Sequence, residues 1–131
     1  MTPLTGENAL IVEGKQVDYT FLPGEPLVVS HAEYRLGNRS PNPATCSIAS
    51  CQFIENGAEE TLPVFHVYAG DRSLDRVVVI PPAADLDIRV TFPFREAHVG
   101  VRFTYAVRLT LECEDRWYAA TSRLNIVQEK P

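Results

Sequence analysis

From Val99 to Cys113 every second residue is apolar, and those between are mostly polar or charged. A two-residue period places alternate side chains on opposite faces of a strand. Folding this ribbon about "CEDR" sets Leu111 opposite Tyr118, Leu109 opposite Ala120, Tyr105 opposite Leu124 and Phe103 opposite Ile126. All four pairs are apolar, so both strands agree on the buried face, and a one-residue slip would set apolar against polar throughout. The turn is the weak point of this register, since "EDR" has no glycine for a tight primed turn.

The same rhythm recurs upstream, with Pro and Gly between the runs and no helical spacing of three and four. "NALIVEG" and "KQVDYTFL" read as a hairpin around Glu13-Gly14. In "LVVSHAEYRLGN", Val28, Ala32, Tyr34 and Leu36 share one face and His31, Glu33 and Arg35 the other. In "TCSIASCQFIENG", Cys46 and Ile48 have one parity, Cys51 and Phe53 the other; a bulge near Ala49-Ser50 returns all four to the core. "ETLPVFHVYAG" carries Pro63, which suits an edge. "DRVVVIPP" is continuously apolar, as a strand buried on both faces would be. "DLDIRVTFPF" sends Leu86, Ile88, Val90 and Phe92 inward and Asp87, Arg89 and Thr91 outward. The expected fold is a single all-β domain: an antiparallel, immunoglobulin-like β-sandwich of about eight or nine strands.

"PGEPLVVSHAEYRLGNRS" and "VVVIPPAADLDIRVTF" resemble stretches of immunoglobulin-like accessory domains and arrestin-like sandwiches. There a strand ends in an Asn-Ser turn, and an "IPP" corner precedes a strand leading to the final hairpin. The resemblance implies a binding or scaffolding role at the level of the fold, carries over no functional residue and assigns no family.

Composition narrows the function classes. With 131 residues the chain is long enough for one well-buried core. A net charge of -5 argues against nucleic-acid binding driven by phosphate neutralisation. No run is long and apolar enough to span a membrane, and no signal peptide is visible, which places the protein in the cytoplasm. If Met1 was added to a trimmed exported chain, the secreted or periplasmic space is the alternative. Cys46, Cys51 and Cys113 make an odd count, which fits a reducing compartment better than a disulfide framework; one bridge plus a free thiol is the other arrangement. Cys46 and Cys51 could not bridge each other along one strand.

Nucleotide, nucleophile-elbow and zinc motifs are missing, so neither an enzyme nor a cofactor is expected. His31 and Glu33 on one strand face, joined by His66 or His98, are the best candidate metal ligands and the basis of an alternative reading as a metal-binding or hydrolytic enzyme. His31 or His98 with Cys51 or Cys113 would be a Cys-His pair, but an inward cysteine is usually inert. The acid pairs Asp85/Asp87 and Glu114/Asp115 read as turn residues, and so does Asn38 of the "NRS" sequence.

The outer face of the closing ribbon carries Arg102, Arg108 and Glu112 on one strand and Trp117, Thr121 and Arg123 on the other. Ala106 faces Arg123, Arg108 faces Thr121 and Glu112 faces Trp117; Arg89 joins them if its strand is adjacent. Trp and Arg are the side chains most enriched at interface hot spots. Trp117, Arg102, Arg108 and Arg123 are therefore the candidate protein-binding residues of a non-enzymatic, bacterial interaction or scaffolding module. If "TLPVFHVYAG" or the last strand is a free edge, strand addition would provide a second contact or self-association. A third alternative is a secreted or periplasmic ligand-binding sandwich.

Overall fold

The structure, a computed structural model, describes residues 10–98 and 105–130. Eleven strands run in chain order: β1 Leu10–Gly14, β2 Gln16–Phe21, β3 Val28–Asn38, β4 Ala44–Glu55, β5 Ala58–Thr61, β6 His66–Ala69, β7 Arg72–Leu74, β8 Val77–Ile80, β9 Ala84–Glu96, β10 Tyr105–Cys113 and β11 Arg116–Gln128. One sheet has the order β1-β3-β9-β6-β7; the other has β2-β11-β10-β4-β5, with β8 also on β4. The result is the immunoglobulin-like β-sandwich that the alternation predicts, with no helix among the described residues. Its strands outnumber the expected eight or nine because "ETLPVFHVYAG" is divided between β5 and β6 in the two sheets and the short β7 pairs with β6.

The β10–β11 register is the predicted one: Tyr105↔Leu124, Leu109↔Ala120 and Leu111↔Tyr118 are partners. Phe103 lies outside the described residues. The hairpin closes on Glu114 and Asp115, both at positive φ (51° and 65°), so a two-residue primed turn forms without glycine. The inward apolar pairs Tyr105–Leu124, Leu109–Ala120 and Leu111–Tyr118 outweigh the modest cost of two non-glycine residues in the left-handed region.

The predicted bulge in β4 is present. Thr110 partners Ser50 and Leu111 partners Ile48, leaving Ala49 as the extra residue. Cys46, Ile48, Cys51 and Phe53 are all buried as a consequence. Leu86 is half-buried and Ile88, Val90 and Phe92 are buried, as their spacing on β9 requires.

Several expectations are corrected. Residues 10–21 form no hairpin: β1 pairs antiparallel with β3, and β2 pairs parallel with β11 in the other sheet. The chain changes sheets at Lys15, whose N–H donates to Glu33 O (2.9 Å) while its carbonyl accepts from Arg123 N–H (3.2 Å). Gly14 is required for closeness rather than for a turn, since a Cβ there would lie 1.8 Å from Thr121 O. On β3 the residue buried beside Ala32 is Val29 rather than Val28, because the β3–β9 register shifts between Val29 and His31. The Tyr19 hydroxyl accepts from Ser30 N–H (3.0 Å) and His31 N–H (2.6 Å) at that irregularity and donates to His31 O (2.7 Å).

β8 is not buried on both faces. Val78 and Ile80 are buried, but Val77 and Val79 project from the outer face of the sheet and are 51% and 56% exposed. "TLPVFHVYAG" is not one edge strand: β5 is an edge of one sheet, whereas β6 lies between β9 and β7 in the other. Nor is the last strand an edge, since β2 covers it. Finally, Cys46 and Cys113, facing each other on β4 and β10, are joined by a disulfide, and Cys51 is the buried free thiol. The bridge-plus-thiol arrangement therefore replaces three reduced cysteines.

Candidate interaction face

The two outer faces of the sandwich differ in chemistry. On the β1-β3-β9-β6-β7 sheet, charges neutralise one another across strands. Arg35 Nε donates to Asp87 Oδ1 (2.9 Å), Lys15 Nζ lies 3.4 Å from the same atom, and Arg39 Nη1 donates to Asp85 Oδ1 (2.9 Å). Hydrogen bonding from Arg35 holds the Asp87 carboxyl below the usual carboxylate range. Asp85 and Asp87 are thus ion-paired strand residues, not turn residues as expected. Arg89 lies over the Tyr68 ring on this sheet and does not join the ribbon arginines.

The outer face of the other sheet is built in rows by its registers. Val77, Ser47, Glu112 and Trp117 form one row across β8, β4, β10 and β11. Ser50, Thr110 and Ala119 form the next. Thr61, Gln52, Arg108 and Thr121 follow, then Glu59, Ile54, Ala106 and Arg123. The floor between Trp117 and Arg108 consists of small, uncharged side chains. Trp117 is 64% exposed at one end of it. An aromatic indole on so flat a surface is a large apolar body awaiting cover.

The predicted residues are only partly brought together. Arg108 and Arg123 are diagonal neighbours, as the register requires, but the Arg108 guanidinium is ion-paired with Glu59 on β5. Arg123 is exposed and has no ion pair among the described residues. Trp117 is six positions along β11 from Arg123, roughly 20 Å in a strand, so tryptophan and arginine mark opposite ends of the face. Arg102 lies outside the described residues. Pattern reasoning missed Glu59, because its approach to Arg108 depends on β5 folding back onto β4 through the Asn56-Gly57 turn, where both residues have positive φ.

The candidate catalytic and metal groups have other roles. His31 Nε2 lies 3.4 Å from Glu33 Oε2, and its Nδ1 is 3.1 Å from the Tyr19 hydroxyl. His66 stands across Thr91 from His31, two strands away, and among the described residues no group of three or more His, Cys, Asp or Glu could hold one metal ion. Burial pushes the Cys51 thiol up to about 12, and Cys113 is bonded to Cys46, so neither supplies a thiolate near neutral pH. A cleft of about 340 Å³ opens at one end of the sandwich, lined by Leu10, Asn38, Tyr118 and Arg116 among others. The Asn38 amide in its wall is fully engaged: Nδ2 donates to Asn42 O (2.8 Å) and Ile80 O (3.0 Å), and Oδ1 accepts from Ser40 N–H (2.9 Å). Asn38 is therefore the buried last residue of β3 rather than a turn residue as expected, and its side chain holds the turn that follows.

No family model matches the chain, and neither does any curated protein. Solved structures do. PapD-like domain 7 of human CEP192, an ASH / PapD-like domain, superposes with a TM-score of 0.51 at 14% identity, over 93% of this chain and 87% of that one. A family 123 glycoside hydrolase from Clostridium perfringens gives a TM-score of 0.53 at 8% identity, over 92% of this chain but only 28% of the enzyme. The major subunit of aggregative adherence fimbriae type I from Escherichia coli gives 0.46 at 7% identity, over 90% of this chain and 94% of the subunit. At such identities the first two likenesses show the fold alone, an immunoglobulin-like sandwich. Among the described residues no helix is long and apolar enough to cross a membrane.

Proposed function

We propose that the chain is a non-enzymatic protein-interaction module that docks a protein partner on the outer face of its β2-β11-β10-β4-β5 sheet. Trp117 is the apolar anchor at one end; Arg123, with the Arg108–Glu59 pair beside it, provides charged contacts at the other. The observation that carries this reading is Trp117, 64% exposed opposite Glu112 and beside a row of Ser50, Thr110 and Ala119, while the opposite face is covered by its own ion pairs. Flat interfaces derive most of their affinity from a few aromatic and Arg anchors, and small neighbours let a partner approach the backbone closely. The test is affinity capture from native cells with the wild type and with Trp117→Ala/Arg123→Ala. Loss of a stoichiometric partner with an unchanged melting temperature supports the face; undiminished capture removes it.

The disulfide favours the alternative of an exported domain over a cytoplasmic one. A bonded pair as deeply buried as Cys46 and Cys113 forms and persists most readily in an oxidising compartment. Thiol counting on denatured, unreduced protein from its native compartment decides this. One free thiol supports export, and three support the cytoplasm.

A further inference from the structure

We infer that β8 is a self-pairing edge, where Val77 and Val79 of one copy hydrogen-bond to Val79 and Val77 of a second copy about a two-fold axis at Val78. The inference rests on the reading of this chain as an interaction module but uses the open edge of the same sheet, three strands from Trp117. In an antiparallel ladder the N–H and C=O of one residue point to the same side, and the side alternates along the strand. The Arg76 carbonyl accepts from Ile48 N–H (2.7 Å), and Ser47 partners Val77 while Cys46 partners Val78. Arg76, Val78 and Ile80 therefore direct their backbone groups at β4. Val77 and Val79 direct theirs to the open side, where no described strand pairs with them.

The side chains point the same way. The other edge strands among those described each carry a charge: Glu13 on β1, Asp18 on β2, Glu59 and Glu60 on β5, Arg72 on β7. Such charges discourage edge-to-edge pairing, and β8, with the sequence VVVI, has none. A two-fold axis at Val78 sets exposed Val77 against exposed Val79 twice and forms four backbone hydrogen bonds. It places Arg76 opposite Ile80 and Asp75 opposite Pro81, so no like charges meet. Cross-strand β-branched pairs are favourable, and the register keeps buried and exposed faces aligned. This self-matching selects a second copy as the occupant. The paired edge is only four residues long, well under the roughly 1,000 Å² of a durable interface, so association is weak, with Kd on the order of 0.1–1 mM.

Sedimentation velocity on the full chain, from ~10 µM to ~1 mM, reads this range directly. The wild type should move from monomer toward dimer. Val79→Pro removes an N–H that faces the open side and should weaken dimerisation roughly tenfold or more while leaving the β4 pairing intact. Val77→Lys/Val79→Lys should abolish it, whereas Val77→Lys/Val79→Glu should restore it at low salt, because each new cation then faces a new anion. A wild type that stays monomeric to ~1 mM overturns the inference. So does a dimer indifferent to the double-lysine change, or a Lys/Glu variant no better than the Lys/Lys one. Trp117→Ala should leave dimerisation untouched, so Trp117-dependent capture by a monomeric protein would sink this inference alone.

Discussion

Breaking the Cys46–Cys113 bond should cost the domain a large share of its stability. The bond links residues 67 apart in sequence, and both half-cystines are buried. Cross-linking a chain over that separation restricts the unfolded ensemble by about 4 kcal/mol in the chain-entropy treatment. Domains of this size are typically stable by only about 5–15 kcal/mol, so the loss is severe without being fatal. With a urea slope of about 2 kcal/mol/M, the unfolding midpoint should fall by about 2 M when the titration is run in excess reductant. Cys51 does not confuse the comparison, because its buried thiol, pushed up to about 12, is free in both forms and is not ionised near neutral pH. The assay is equilibrium unfolding followed by Trp117 fluorescence and far-UV circular dichroism, with and without reductant. Coincident midpoints, or three titratable thiols in the denatured unreduced protein, would refute the reasoning.

Further expectations follow from single buried groups. Asn38→Asp keeps the shape but turns the donor to Asn42 O and Ile80 O into an acceptor facing two carbonyls; it should cost about 3 kcal/mol in chemical denaturation, and less than 1 kcal/mol would contradict the role given to Asn38. Ser122, buried on β11, donates to Lys15 O (2.7 Å) and accepts from Glu33 N–H (3.2 Å), so Ser122→Val should lower stability by about 2 kcal/mol and raise amide exchange at Glu33. The Asp87 carboxyl has a lowered pKa in the folded state, first through its hydrogen bond from Arg35. Its stabilising contribution is therefore present above the unfolded carboxylate range and fades as the pH falls through the folded value. Asp87→Asn should lower stability slightly at pH 7 and leave it unchanged once the wild-type carboxyl is protonated, so that the acid limb flattens, and an unaltered limb would show that the pairing contributes nothing.

What could be read from residues alone was whatever a two-residue period decides locally. The β10–β11 register followed because Tyr105–Leu124, Leu109–Ala120 and Leu111–Tyr118 are all apolar, and Ala49 was revealed as a bulge by the parity change between Ile48 and Cys51. What escaped depends on distant contacts. Gly14 reads locally as a turn residue, yet it is the Thr121 carbonyl, remote in sequence, that demands it. "VVVI" reads as doubly buried until the sandwich is seen to cover only its Val78 and Ile80 face. Cys113 found its partner only once β4 was laid beside β10. On the candidate face, the exposure of Trp117 and the diagonal of Arg108 and Arg123 were legible. The Glu59 that occupies Arg108 was not, and neither was the distance that parts tryptophan from arginine.

Binding through the Trp117 face is the central claim, and a titration of the captured partner into wild type and Trp117→Ala tests it most directly. Arg35→Ala, altered on the opposite face, serves as the control. The account predicts at least about a tenfold loss of affinity for Trp117→Ala, in line with an interface anchor, and none for Arg35→Ala. Equal affinities for wild type and Trp117→Ala, or a loss confined to Arg35→Ala, would contradict it.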